Sequence, residues 1–151
     1  MAVQAAKFYN LYHQYISGTI ANGSTAFVLH LMKSSSNFAT KTLSTLGSLT
    51  NQIASGNGYT LAGKTMTKTW GAGTSAGQAK LNFTAISLSA SGAIGSILAY
   101  VVVATTGASA KDTANKLICY ASLTAAVFSI SSGNKLILNP DATNGLFTLA
   151  G

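Results

Sequence analysis

The first apolar residues recur with a helical period. Phe8, Leu11, Tyr12, Tyr15 and Ile16 form one stripe, with Lys7, Asn10, Gln14 and Ser17 off it and Gly18 as a stop. The spacing predicts an amphipathic helix over about residues 4–17, lying across one end of the domain's own sheet. After Asn22-Gly23-Ser24 the period becomes two. Thr25–Met32 reads as a strand with Phe27, Leu29 and Leu31 on one face and His30 on the other. Residues 33–64 carry no clean period; Leu43, Leu46, Leu49 and Ile53 are loosely spaced for a short helix that Gly47 interrupts.

From Thr65 onward strands dominate. Met66, Lys68 and Trp70 share a face opposite Thr65, Thr67 and Thr69. Ala79, Leu81 and Phe83 alternate with polar residues, and the parity then shifts to Ile86 and Leu88, which predicts a bulge or break near Ala85. Further strands are expected at Ile97–Thr105, Lys116–Leu123, Ala126–Ile130, Lys135–Asn139 and Leu146–Leu149, separated by turn signals such as Ser132-Gly133-Asn134 and Asn144-Gly145. The expected fold is mainly β: a β-sandwich or barrel-like domain of seven or more short strands, about residues 25–150, with the N-terminal helix as a cap.

Composition narrows the chemistry. A length of 151 residues fits a single domain, 1–151, and a hydrophobic fraction of 48% is too high for a disordered chain. Only 7% of residues are charged: nine lysines and two aspartates, for a net +7. With Asp112 and Asp141 as the only side-chain carboxylates, carboxylate cages for Mg²⁺ or Ca²⁺ and paired-carboxylate catalysis are unavailable, and no cofactor is expected. The lysines, at 7, 33, 41, 64, 68, 80, 111, 116 and 135, are dispersed, and without arginine there is no bidentate contact to guanine. Specific nucleic-acid binding is therefore not expected. Cys119, the lone cysteine, lies in an apolar run and reads as a small buried hydrophobe. The N-terminus lacks the apolar core of a secretory signal. Leu81–Ala110 is free of charge, but its alternation and Gly92 and Gly95 favour two strands, the second starting at Ile97, over a membrane span.

Two catalytic patterns occur in the wrong setting. Gly58–Thr65 satisfies the phosphate-loop expression, yet no buried strand precedes it and an alternating strand, not a helix, is expected after it. Gly73-Thr74-Ser75-Ala76-Gly77 satisfies the nucleophile-elbow expression, but both histidines, His13 and His30, precede the serine instead of following it. The histidines and Cys119 lack zinc-ligand spacing. No acid, base and nucleophile set can be assembled, so the chain reads as a non-enzyme.

Several stretches carry a resemblance. Lys7-Phe8-Tyr9-Asn10 precedes an apolar strand ending Leu29-His30-Leu31-Met32-Lys33-Ser34-Ser35; Asn51–Thr65 runs through Gly56-Asn57-Gly58-Tyr59-Thr60; Tyr100–Val103, Lys116–Tyr120, Gly133–Leu138 and Asn144–Phe147 come after it in order. In these motifs the chain resembles a group of small tailed-bacteriophage structural proteins, departing from them at Ala21-Asn22-Gly23-Ser24, where acidic residues are usual, and at Gln52, where Glu is common. The resemblance implies a virion component, made in the host cytoplasm. It would be an auxiliary capsid decoration or cement protein on the outside of the head, partnered by the major capsid protein or other virion proteins and by copies of itself. The dispersed lysines, with Lys64, Lys68, Lys80, Lys111 and Lys116 as the candidate contacts, would meet an acidic partner surface. The alternatives are a tail or fibre component, or a carbohydrate-binding module using Trp70, Tyr59 and Tyr100 as stacking platforms.

Overall fold

The computed structural model describes residues 6–11, 26–72, 75–105, 115–139 and 147–150. Among these, the chain forms eleven strands in three sheets, all antiparallel where paired, and one 3₁₀ turn at Leu46–Ser48. The strands are β1 (Lys7–Phe8), β2 (Ala26–Lys33), β3 (Lys64–Met66), β4 (Lys68–Ala72), β5 (Gln78–Phe83) and β6 (Ile86–Ser89). They continue with β7 (Ile94–Thr105), β8 (Lys116–Ser122), β9 (Phe128–Ile130), β10 (Lys135–Leu138) and β11 (Phe147–Ala150).

The main sheet runs β1-β8-β7-β2-β3, with β9 also pairing β7; β4, β5 and β11 form a second sheet, β6 and β10 a third. Both faces of the main sheet are buried. One face carries Phe27, Leu29 and Leu31 of β2 and Tyr100, Val102 and Ala104 of β7, which pack with Leu81 and Phe83 of β5, Leu88 of β6 and Leu136 of β10. The other carries Met32, Ala99, Val101 and Val103 and is covered by Phe38, Leu43, Leu46 and Leu49 from the irregular segment between β2 and β3. Burial on both faces explains why β7 reads as an unbroken apolar run instead of alternating.

Three expectations are corrected. Lys7–Phe8 is a strand, not helix: Lys7 sits opposite Tyr120 and Phe8 opposite Cys119. Phe8 packs against the first core and Tyr9 is buried in the second, so consecutive side chains point to opposite sides, as an extended chain allows and a helix does not. The remainder of the expected helix, from Tyr12 on, lies outside the described residues. The short helix expected over Leu43–Ile53 reduces to the single 3₁₀ turn, because the apolar residues there serve as separate plugs on the sheet. Gly95 does not separate strands: β7 begins at Ile94 and passes through a bulge between Ile94 and Ile97, with Ser96 in the left-handed region at φ 61°. The break expected near Ala85 is present, where β5 ends at Phe83 and β6 begins at Ile86 in a different sheet.

Candidate functional site

The lysines are placed by the strand register. Phe27 pairs with Met66 of β3 on one side and with Ala104 of β7 on the other, and Ala104 pairs with Lys116 of β8. These residues form a row across four strands on the side of the main sheet that faces the second sheet. Lys64, two residues before Met66, pairs with Leu29 and is exposed on the same side. Lys68 lies half-buried with its Nζ 4.7 Å from the centre of the Phe27 ring, a cation–π contact. Partial desolvation there lowers its pKa from the usual lysine value. Lys116 is half-buried at the start of β8, roughly 10 Å from Phe27 by two strand spacings.

Lys80 is placed elsewhere. It alternates with the core residues Leu81 and Phe83 along β5 and pairs with Gly71 and Thr148, so it projects from the reverse face of the second sheet. Lys64, Lys68 and Lys116 thus share a side, Lys80 does not, and Lys111 lies outside the described residues. The grouped ammoniums sit on separate strands with no described carboxylate among them, a source of positive field and not a reacting constellation.

The segment matching the phosphate-loop expression has a structural task. Gly58 (φ 89°) passes so close to the Ser89 carbonyl of β6 that a Cβ would collide with it. The Tyr59 hydroxyl accepts the Leu31 N–H at 3.0 Å, closing the gap in the edge of β2 beyond β3. Gly63 (φ 70°) then lies against β2; a Cβ there would fall 2.6 Å from the Leu29 carbonyl and 2.9 Å from His30 Cε1. Gly63 leads directly into the strand β3, where a phosphate loop would enter a helix. Ser75 of the nucleophile-elbow expression lies between β4 and β5, an antiparallel hairpin, and its N–H donates to Gln78 Oε1 at 3.2 Å; Gly73 and Thr74 are outside the described residues.

The other singled-out side chains are mostly core. Cys119 is fully buried, which pushes its thiol pKa up. Tyr59 and Tyr100 are 3% and 7% exposed, so neither ring offers a stacking platform; only the backbone of Trp70 is described, paired with Leu81. Tyr9 and Tyr120 pack in the second core with ring centres 5.2 Å apart, and the Tyr9 hydroxyl donates to the Phe38 carbonyl at 2.6 Å. His30 is 1% exposed, and burial lowers its pKa to about 4 against the opposing pull of a hydrogen bond with the Leu61 backbone. Among the described residues its Nδ1 has no hydrogen-bond partner, nor has the side-chain amide of the buried Gln52. Alternation along β2 gives the face His30 occupies, but nothing in the sequence signals the chain that closes over it. His13 is outside the described residues.

Among the described residues no group of three or more His, Cys, Asp or Glu comes together, and no helix is long and apolar enough to cross a membrane. The chain matches no protein-family model, and no curated protein or solved structure matches it.

Proposed function

We propose that the protein is a non-enzymatic bacteriophage virion component, an auxiliary decoration or cement protein that attaches to the outside of the head lattice and stabilises it. The observation that carries the reading is the placement of Lys64, Lys68 and Lys116, on three separate strands, toward the same side of the main sheet in a chain with net +7. Such a surface suits an acidic, repeating partner, where many weak contacts act together and charge sets orientation and encounter rate. The resemblance of the Phe8-Tyr9-Asn10 opening and the Asn51–Thr65 connection to small phage structural proteins supports the same assignment. The burial of Tyr59 and Tyr100 removes two of the three rings that a sugar-binding reading would use.

Quantitative mass spectrometry of purified phage particles tests the proposal. A copy number close to that of the major shell protein is the expected result. A handful of copies per particle would move the protein to the tail or a vertex, and its absence from intact particles would refute a virion role. Rebinding to stripped capsids should weaken as salt rises, because exposed charge pairs are screened over about 10 Å at 0.1 M salt.

A further inference from the structure

We propose that the connection from Gly58 to Gly63 is an acid-released latch, closed over the edge of β2 while the His30 ring is neutral and opened when that ring takes up a proton. The proposal goes beyond the docking reading and does not depend on it.

The geometry begins with where the connection runs. Tyr59 belongs to the core on one side of the main sheet, whereas Gly63 lies against Val28 and His30, which alternate with Leu29 onto the other side. The chain therefore wraps the edge of β2 between the β3 ladder, which covers Phe27 to Leu29, and the bridge from Gln52 to Met32. Few bonds hold it there. A reciprocal backbone pair between Gly56 and Tyr59 (2.8 and 2.9 Å) fixes its start; beyond that the ties are Leu31 N–H to the Tyr59 hydroxyl at 3.0 Å, Leu61 N–H to Ser55 Oγ at 2.8 Å, Gly63 N–H to the Thr60 carbonyl at 2.9 Å and the Leu61 backbone bond to His30. A short edge connection with so few ties is the kind of element that opens separately from the central ladders.

The ring beneath it has nowhere to place a second proton. Its hydrogen bond goes to the Leu61 backbone, and among the described residues Nδ1 has no acceptor. An imidazolium must donate from both nitrogens, so charging the ring leaves a buried N–H⁺ without an acceptor unless the covering chain lifts. Among the described residues no counter-charge faces it. Facing it are Leu61 and Gly63 of the connection, Val101 across the ladder on β7, and Gln52, paired with Met32 two residues along. The cations flanking these elements are Lys64, which comes directly after Gly63 and points to solvent, and Lys33 at the end of β2. The phenols on the neighbouring elements are Tyr59, whose hydroxyl is taken by Leu31, and Tyr9 and Tyr120 of the second core, all with pKa values raised by burial. The chain's two carboxylates, Asp112 and Asp141, are not among the described residues. Opening would rehydrate the ring, free Lys64 from its fixed position and uncover the backbone of β2 around Leu31.

Amide hydrogen exchange on the full chain tests this, read as protection factors at pH 7.5 and pH 5. If the ring titrates near 6.5 when open and about 4 when closed, opening becomes roughly thirty times more frequent at pH 5. The expected result is a loss of protection of that order at Leu31 and Gly63, with Val101–Val103 of the central ladder changing much less. His30→Leu and His30→Gln, which cannot take up the proton, should both lose the pH dependence. Equal loss of protection across the whole sheet, or an unchanged pH response in either variant, would overturn the latch. The ring's own titration in the wild-type chain, followed by NMR, gives an independent reading. A midpoint below about 5 supports the proposal, and a midpoint near the ordinary 6.5 with unchanged protection overturns it.

Discussion

The two covers of the main sheet are built on opposite plans. On the Phe27 side the cover is made of strands: β5, β6 and β10 place Leu81, Phe83, Leu88 and Leu136 against β2 and β7. On the Val101 side it is the irregular segment after β2, whose Phe38, Leu46 and Leu49 are fixed by polar cross-ties. Asn37 alone makes three: its N–H donates to Thr50 Oγ1 at 3.3 Å, its Nδ2 to the Ser48 carbonyl at 3.0 Å, and its Oδ1 accepts Thr50 N–H at 2.8 Å. Tyr9 and Tyr120 add hydroxyl bonds to the carbonyls of Phe38 and Ala39. A strand cover is located by its own backbone ladder and needs only the right apolar face. An irregular cover has no ladder, so side chains must locate it.

Four measurements test the difference between the two covers. The largest effect is expected from Phe27→Ala, which empties a fully buried position under the strand cover and should cost about 3–5 kcal/mol in denaturant unfolding. A loss below about 1 kcal/mol would mean that the strand cover does not depend on apolar packing. Next is pH. The folded-state pKa of His30 is depressed to about 4 from 6.5, so its contribution is complete above about 6.5 and is lost as pH falls toward 4. The loss should reach about 3 kcal/mol, and His30→Leu should flatten that part of the stability profile. Smaller is Asn37→Ala, expected to cost about 1–2 kcal/mol and to raise exchange at Thr50 without touching β6 or β10. Equal exchange on both covers would show that they open as one. Smallest is Lys64→Ala, which should alter stability by less than about 0.5 kcal/mol, the usual range for an exposed site, while weakening low-salt rebinding to stripped capsids.

The same contrast decides what could be read from the chain. Phe27, Leu29 and Leu31 alternate with His30, so the face assignment of β2 comes from period alone, as does the break between Phe83 and Ile86. The irregular cover was illegible because Phe38, Leu43, Leu46 and Leu49 share no period; each answers to a different hole in the sheet. The helical spacing of Phe8 and Leu11 was overridden by tertiary pairing, since β1 satisfies the free edge of β8 and sends Phe8 and Tyr9 to opposite cores. At the site, the lysines are visible in sequence, but their grouping depends on β8 lying two strands from β2. The closeness of Gly63 to His30 depends likewise on a chain path that crosses the sheet edge.

The pairing of β2 with β7 and of β1 with β8 also governs how the molecule can come into being. Leu31 must wait for Tyr100, and Lys7 for Tyr120, before either finds its ladder, so the long central pairing cannot be nucleated locally. Closing such large loops before any reward is collected makes folding slow, in the range of milliseconds to seconds typical of sheets with distant partners. During synthesis the nascent β2, with its run of Phe27 to Met32, has only β3 and the Gln52 bridge as earlier partners, and its β7 edge stays unpaired until Thr105 has emerged.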